Sequence, residues 1–256
     1  MNNLFFKKFS EVKKKISKNH LTIGSWLQLS NSDSAFILSN SKFDWLAVDL
    51  EHGSISVSDL PNINRSILSG NSIPLARVKS SNKSHIHEAL DAGACGVIIP
   101  NIMSKKHLEE TIKFCYYPPK GIRGVGFCAA NSYGINFEQY QIFAQKPIII
   151  AMIECSEGLK NIEEIVSCKG LDGILIGPYD LSASLNIIGQ FKNLIFQRSI
   201  KKILKICKKN FISVGMHQVK PLPLELKRLI KLGFNFIPYG IDTVFLQNRY
   251  PLKKVE

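Results

Sequence analysis

The sequence predicts a (β/α)8 barrel. Short apolar runs alternate with helical patterns along the whole chain. Eight such runs fit into 256 residues, and ionisable side chains gather where several of them end. Runs that are apolar on both faces read as parallel strands covered by crossover helices. Barrel enzymes of about 250 residues build their sites at the C-terminal ends of such strands. A doubly wound open sheet is the competing architecture, and periodicity alone does not separate the two. The polar residues at so many strand ends favour the barrel.

The strands are expected at 24–29 (GSWLQL), 44–50 (DWLAVDL), 73–78 (IPLARV), 95–100 (CGVIIP), 147–154 (PIIIAMIE), 172–177 (DGILIG), 212–216 (ISVGM) and 234–240 (FNFIPYG). Helical patterns lie between them, as at 84–92 and 225–232. Ahead of the first strand, Phe5, Phe9, Val12 and Ile16 recur at helical spacing among lysines. A short helix over about 3–17 that covers one end of the domain is expected there, in preference to a basic helix lying on a membrane. The segment 116–145 does not alternate. Its diproline and glycines suggest an ordered, turn-rich excursion, of the kind that serves function or contacts between subunits. No linker or composition shift interrupts the chain, so residues 1–256 are read as one domain.

Composition narrows the function. With 45% hydrophobic residues the chain can bury a large core, and no apolar run approaches the roughly 20 residues of a membrane span. No signal peptide is visible, and a cytoplasmic protein is expected. The six cysteines contain no CxxC pair, which argues against a zinc cluster or a disulfide framework. The net charge of +13 comes largely from scattered lysines such as Lys13 to Lys15, Lys201, Lys202, Lys205, Lys208 and Lys209. Solvated helix faces account for these; a basic rim that attracts anionic substrates is the useful alternative. A basic nucleic-acid-binding module has charge as its sole support, with no recognition motif, so no nucleic-acid partner is expected.

The stretch LAVDLEHGS ends an apolar strand in Asp49, Glu51 and His52. The third strand carries Arg77, the fifth ends in Glu154, and the sixth runs into GPYD with Asp180. Singly, each reads as an ion-pair partner, a cap, or a hydrated histidine. Together at one barrel mouth they form a charge cluster that a structural role does not require. Carboxylates suit a hard cation such as Mg2+ or Mn2+, and two of them leave coordination positions open for water and substrate.

The chain resembles the class II pyruvate aldolases of the HpcH/HpaI aldolase and citrate lyase family. The resemblance is carried by DWLAVDLEHG, YYPPKGIRG and IGPYDLSAS in that order, with PLARV, EALDAGACGVIIPNI and VGMHQ between and after them. It implies that Glu154 and Asp180 bind a divalent metal (Mg2+, Mn2+ or Co2+), that Arg77 stabilises an enolate, that His52 is the acid/base and that Asp49 orients His52. It also implies a substrate that is a 4-hydroxy-2-oxo acid, cleaved to pyruvate and an aldehyde without an organic cofactor. A homo-oligomer is implied as well, a hexamer built as a trimer of dimers, with the last helix exchanged between subunits.

The chemistry of the residues agrees. A 2-oxo acid chelates a metal through its carboxylate and ketone; Arg77 suits a developing oxyanion; a histidine with a pKa near 6.5 moves protons near neutrality. Backbone amides around Gly177, Pro178, Tyr179 and Asp180 are candidates for the substrate carboxylate, with Pro178 suited to a first helical turn.

The chain departs from the pattern at Ala129, where many relatives carry arginine, and at Met152, where some carry glutamine. His217 matches a recurrent histidine, for which packing near the mouth and a direct role remain open. A Schiff-base aldolase would need a lysine inside the mouth, and Lys79 and Lys220 lie only near strand ends. Cleavage of an acyl-CoA ester is the related alternative.

Overall fold

The computed structural model describes residues 3–249. Among them are eight strands: β1 (Thr22–Leu27), β2 (Trp45–Asp49), β3 (Ile73–Arg77), β4 (Gly96–Ile99), β5 (Ile148–Ile153), β6 (Gly173–Ile176), β7 (Ser213–Met216) and β8 (Phe236–Ile241). Neighbours pair in parallel in the order β7–β6–β5–β4–β3–β2–β1–β8. The two ends of that order meet, because Gln218 bridges to Tyr239 and the Asn235 amide donates to the Val214 carbonyl at 2.9 Å. The sheet is therefore a (β/α)8 barrel, and every expected strand overlaps an observed one, with ends moved by no more than two residues.

Crossover helices cover the outside. In the longest, Leu194–Lys209, Asn193 caps the N-terminus by accepting from the Ile195 amide at 2.9 Å. Phe196, Ile200, Ile203 and Cys207 recur at helical spacing and are all buried against the barrel. The barrel interior is filled by large side chains: Trp45 stacks on Phe236 with ring centroids 4.3 Å apart. That stack needs a glycine in β1, since a β-carbon on Gly24 would fall 2.1 Å from the Trp45 ring.

The helix Asn3–Ser17 closes the N-terminal end, with Phe9, Val12 and Ile16 buried in the interior cluster. The side chain of Phe5 lies outside the described residues. Two of the lysines expected to be solvated hold this helix in place. Lys13 Nζ donates to the Pro147 carbonyl at 2.6 Å and to Asp172 at 3.1 Å, and Lys15 Nζ reaches Asp44 at 2.7 Å. All three partners sit just ahead of strands, so the helix is tied to the end opposite the charged mouth.

The segment 116–145 is ordered, and it contains a 3-10 turn at Ala129–Asn131 and a helix at Phe137–Ala144. Arg123 anchors it from a buried position. Its guanidinium donates to Asp91 at 3.1 and 2.5 Å and to the Tyr140 hydroxyl at 3.0 Å, and lies 4.8 Å from the Tyr117 ring centre. A desolvated guanidinium is tolerated only with partners of this kind. Among the described residues no helix is long and apolar enough to cross a membrane, and all six thiols are free.

Candidate active site

The register of the sheet assembles the site. Asp49 and Arg77 end β2 and β3 as direct partners across the parallel ladder. Glu154 follows β5, Asp180 lies in the first turn of the helix Pro178–Ser184 after β6, and His217 follows β7. All therefore stand at the C-terminal rim.

Asp49 is fully buried and binds Arg77 in a bidentate pair, with Nε 2.8 Å from Oδ1 and Nη2 2.6 Å from Oδ2. Gln28 Nε2 donates to Oδ2 at 2.9 Å, and the amides of Glu51 and His52 donate to Oδ1 at 3.2 and 3.1 Å. Burial alone would raise the Asp49 carboxyl; the bonded and charged Arg77, with Gln28 and the His52 amide, outweighs it and holds Asp49 below the usual carboxylate range. Trp26 supports the other side of the pair, its ring 4.6 Å from Arg77 Cζ. Arg77 Nη1 also stands 3.3 Å from Glu51 Oε2, an ion-pair distance without hydrogen-bond geometry.

Glu154 and Asp180 converge on Gly177. A β-carbon at Gly177 would lie 2.9 Å from Glu154 Oε2 and 3.5 Å from Asp180 Oδ2, so the bare α-carbon is what admits both carboxylates. The other Glu154 oxygen accepts from the Asn101 amide at 2.5 Å. Asn101 adopts φ 53°, a left-handed conformation that asparagine tolerates better than most residues. Burial, then the neighbouring Glu51, with Asp180 adding to them, pushes the Glu154 carboxyl up to about 7 against the opposing Asn101 amide and Arg77. Burial likewise raises Glu51, against the pull of Arg77 and His52.

Three carboxylates thus share one corner with a single guanidinium that Asp49 already clamps. A bound cation would relieve that repulsion, and oxygen donors suit a hard divalent ion. Among the described residues no group of three or more His, Cys, Asp or Glu side chains is arranged to hold a metal ion. Glu154 and Asp180, both at Gly177, are oxygen donors of the kind a hard divalent ion takes, and two carboxylates would leave positions open for water and substrate.

Asp49 meets His52 through the backbone. Asp49 holds the backbone amide of His52, and its carboxylate is otherwise committed to Arg77 and Gln28. The His52 side chain is exposed at the rim. The reason is steric order along the chain: the turn after β2 brings the amides of residues 51 and 52 back over Asp49. His217 lies with its ring centroid 5.4 Å from that of Trp26. Glu154 is not a helix cap; Cys155 takes that position.

Sequence reasoning passed over Gln28, Trp26, Asn101 and Asp242. Asp242 accepts from the amides of Gln28, at 3.0 and 3.1 Å, and Leu29, at 3.0 Å, and so fixes the end of β1. Gln28 and Trp26 stand at the end of a strand whose partners already carried named residues, and that position was the available signal.

The barrel and its charged C-terminal mouth define a (β/α)8-barrel enzyme. The family model "HpcH/HpaI aldolase/citrate lyase" matches residues 22–248, and the chain belongs to this family. It is 30% identical over 238 residues to the hydroxypyruvate/pyruvate aldolase of Roseobacter denitrificans, covering 92% of each protein. It is 29% identical over 242 residues to the 5-keto-4-deoxy-D-glucarate aldolase of Escherichia coli, covering 94% of this chain and 93% of that one. The crystal structure of a family member from Burkholderia cenocepacia superposes with a TM-score of 0.87 at 25% identity, over 93% of this chain and 95% of the other.

Proposed function

We propose that the protein is a divalent-metal-dependent aldolase that cleaves a 4-hydroxy-2-oxo acid reversibly to pyruvate and an aldehyde. The observation that carries this reading is the convergence of Glu154 and Asp180 on Gly177 beside the Asp49–Arg77 pair. Its relatives' aldolase names agree with it.

Glu154 and Asp180 would hold the metal as Mg2+, Mn2+ or Co2+. When bound, such an ion polarises the 2-oxo group and stabilises negative charge on its oxygen. Arg77, kept in place by Asp49 and Trp26, aims fixed positive charge at the same developing oxyanion. His52, exposed at the rim, takes the proton from the 4-hydroxyl as the bond between carbons 3 and 4 breaks, which releases the aldehyde and leaves the pyruvate enolate. Proton return to carbon 3 completes pyruvate. Asp49 is in this scheme a positioning residue, acting on Arg77 directly and on His52 through its backbone. The turn Gly177, Pro178, Tyr179 and Asp180 is the candidate cradle for the substrate carboxylate.

We further read residues 1–256 as one domain in a homo-oligomer, with a hexamer made of dimers and an exchanged last helix as the expected form. Exposed Phe127 and Ile135 in the 116–145 segment, 72% and 87% accessible, suit burial between subunits. Light scattering of the purified protein tests the assembly.

Product analysis decides between this reaction and cleavage of an acyl-CoA ester. Pyruvate and an aldehyde are expected from a panel of 4-hydroxy-2-oxo acids; carbon-carbon cleavage of an acyl-CoA substrate to a shorter acyl-CoA and a carbonyl compound, with no pyruvate from the panel, would reverse the assignment.

A further inference from the structure

Three residues stand at one level across neighbouring strands. Leu27 of β1 pairs with Val48 of β2, which sets Gln28 level with Asp49, and Asp49 pairs in turn with Arg77 of β3. Side chains two apart along an extended chain share a face, so Gln28 follows Trp26 on the inner side of the mouth.

Every polar group of Gln28 is committed. Its Nε2 donates to Asp49 Oδ2 at 2.9 Å and its Oε1 accepts from the Thr243 hydroxyl at 3.4 Å; an ionised carboxylate only accepts, so the orientation of the amide is fixed. The backbone amide donates to both oxygens of Asp242, at 3.0 and 3.1 Å, and the carbonyl accepts from the amide and the hydroxyl of Ser54, each at 3.0 Å. Asp242 is buried, and with Thr243 it opens the helix Asp242–Arg249 that follows β8. Gln28 is thereby held from the side away from Asp49.

Two of these contacts reach the proposed chemistry. Among the described residues, Gln28 is the only side chain besides Arg77 that bonds the Asp49 carboxylate. Glu51 Oε2 stands 3.3 Å from Arg77 Nη1, so a second carboxylate competes for the guanidinium, and Arg77 keeps its aim only while Asp49 is fixed. The second contact is the Gln28 carbonyl, which anchors the turn that carries His52. That turn is pinned at one end by the amides of Glu51 and His52 on Asp49 Oδ1, and at the other by Ser54 on Gln28. It passes close over both residues: a β-carbon at Gly53 would fall 2.2 Å from the Asp49 carbonyl oxygen and 3.2 Å from the Gln28 α-carbon.

We propose that Gln28 is a positioning residue for the cleavage, setting the Arg77 guanidinium, through Asp49, and the His52 turn in one fixed relation. Its side chain aims the group that meets the developing oxyanion, and its carbonyl places the group that takes the proton. The assignment rests on the pyruvate-aldolase reading above. A donor aimed before reaction acts on charge that develops in the transition state, so the loss of Gln28 falls on kcat more than on KM.

The test compares the wild type with Gln28→Met, which keeps the length of the side chain and removes its donor, alone and combined with Asp49→Asn. With Mn2+ and the 4-hydroxy-2-oxo acid cleaved best, Gln28→Met is expected to lower kcat about tenfold, the scale of one hydrogen bond to a charged group, with KM little changed. In the Asp49→Asn background the same substitution is expected to add almost nothing, because the two act through one carboxylate. Calorimetric titration of the Mn2+-loaded proteins with oxalate, a planar dianion shaped like the pyruvate enolate, gives a readout that needs no turnover. Oxalate is expected to bind Gln28→Met about tenfold more weakly than the wild type, while pyruvate affinity changes less. Should Gln28→Met fail to fold, Gln28→Asn, which withdraws the amide by one methylene, takes its place with the same expected losses. A folded variant with wild-type kcat and oxalate affinity, or a loss that simply multiplies with that of Asp49→Asn, would overturn the role of Gln28 and leave the aldolase reading intact. Absence of pyruvate release from every acid would count against the aldolase reading, and Gln28 would then stand or fall on oxalate: no binding by the wild type, or equal binding by wild type and variant, overturns it.

Discussion

Asp49 grips Arg77 with both carboxylate oxygens, 2.8 Å from Nε and 2.6 Å from Nη2, because the parallel register of β2 and β3 sets the two residues directly opposite each other. The pair is buried, so its members depend on one another. Asp49→Asn is expected to lower kcat by about 100-fold through a displaced guanidinium and to cost about 3 kcal/mol of stability. Because the Asp49 pKa is held low, its share of stability persists above the ordinary aspartate range and fades as pH falls through the depressed value. Steady-state kinetics and denaturant melts measure both effects; a variant with unchanged kcat would remove Arg77 positioning from the mechanism.

Gly177→Ala tests the meeting point of the two carboxylates. Its φ of −85° suits alanine, so any effect comes from the new β-carbon against Glu154. A folded protein with Mn2+ affinity lowered by about 10-fold to 100-fold is expected by calorimetry. Undiminished affinity would place the metal elsewhere.

Glu154 makes the metal-free protein sensitive to pH. Its folded pKa, about 7 against an ordinary 4.5, is raised, so its contribution to stability is fully present below pH 4.5 and is lost between 4.5 and 7. In chelator, Glu154→Gln should match the wild type near pH 4 and exceed it by about 3 kcal/mol at pH 8, the linkage value of such a shift. Mn2+ should reverse the order at pH 8, since the wild type alone keeps the ionised ligand. Urea melts across this range report the difference, and a gap that does not change with pH speaks against the assignment.

His52→Gln removes the proposed proton carrier without touching the buried pair. A fall in kcat of about 10²-fold to 10⁴-fold is expected, with loss of the corresponding limb of the pH–rate profile. Retention of that limb would transfer the role to another group.

The barrel was legible because its strands are buried on both faces and read as continuous apolar runs between helical patterns. The mouth was legible because Asp49, Arg77, Glu154 and Asp180 each fall at a strand end. What the sequence concealed is pairing across strands. Asp49 and His52 are neighbours in sequence and invite each other as partners, but the β2–β3 ladder gives the Asp49 carboxylate to Arg77. Arg123 was hidden for a similar reason, as its partners Asp91 and Tyr140 lie 32 and 17 residues away. The helix Phe137–Ala144 was hidden by a weak amphipathic pattern, with Ile142 exposed and Tyr140, Phe143 and Ala144 buried.

The most direct test of the central claim is pyruvate release from a 4-hydroxy-2-oxo acid, followed in one assay for the wild type after exhaustive chelation, for the same protein after Mn2+ is restored, and for Glu154→Gln with Mn2+. Activity is expected only in the restored wild type, with Glu154→Gln folded and silent. Full pyruvate release from the chelated protein, or from Glu154→Gln, would contradict a metal-dependent aldolase built on Glu154 and Asp180.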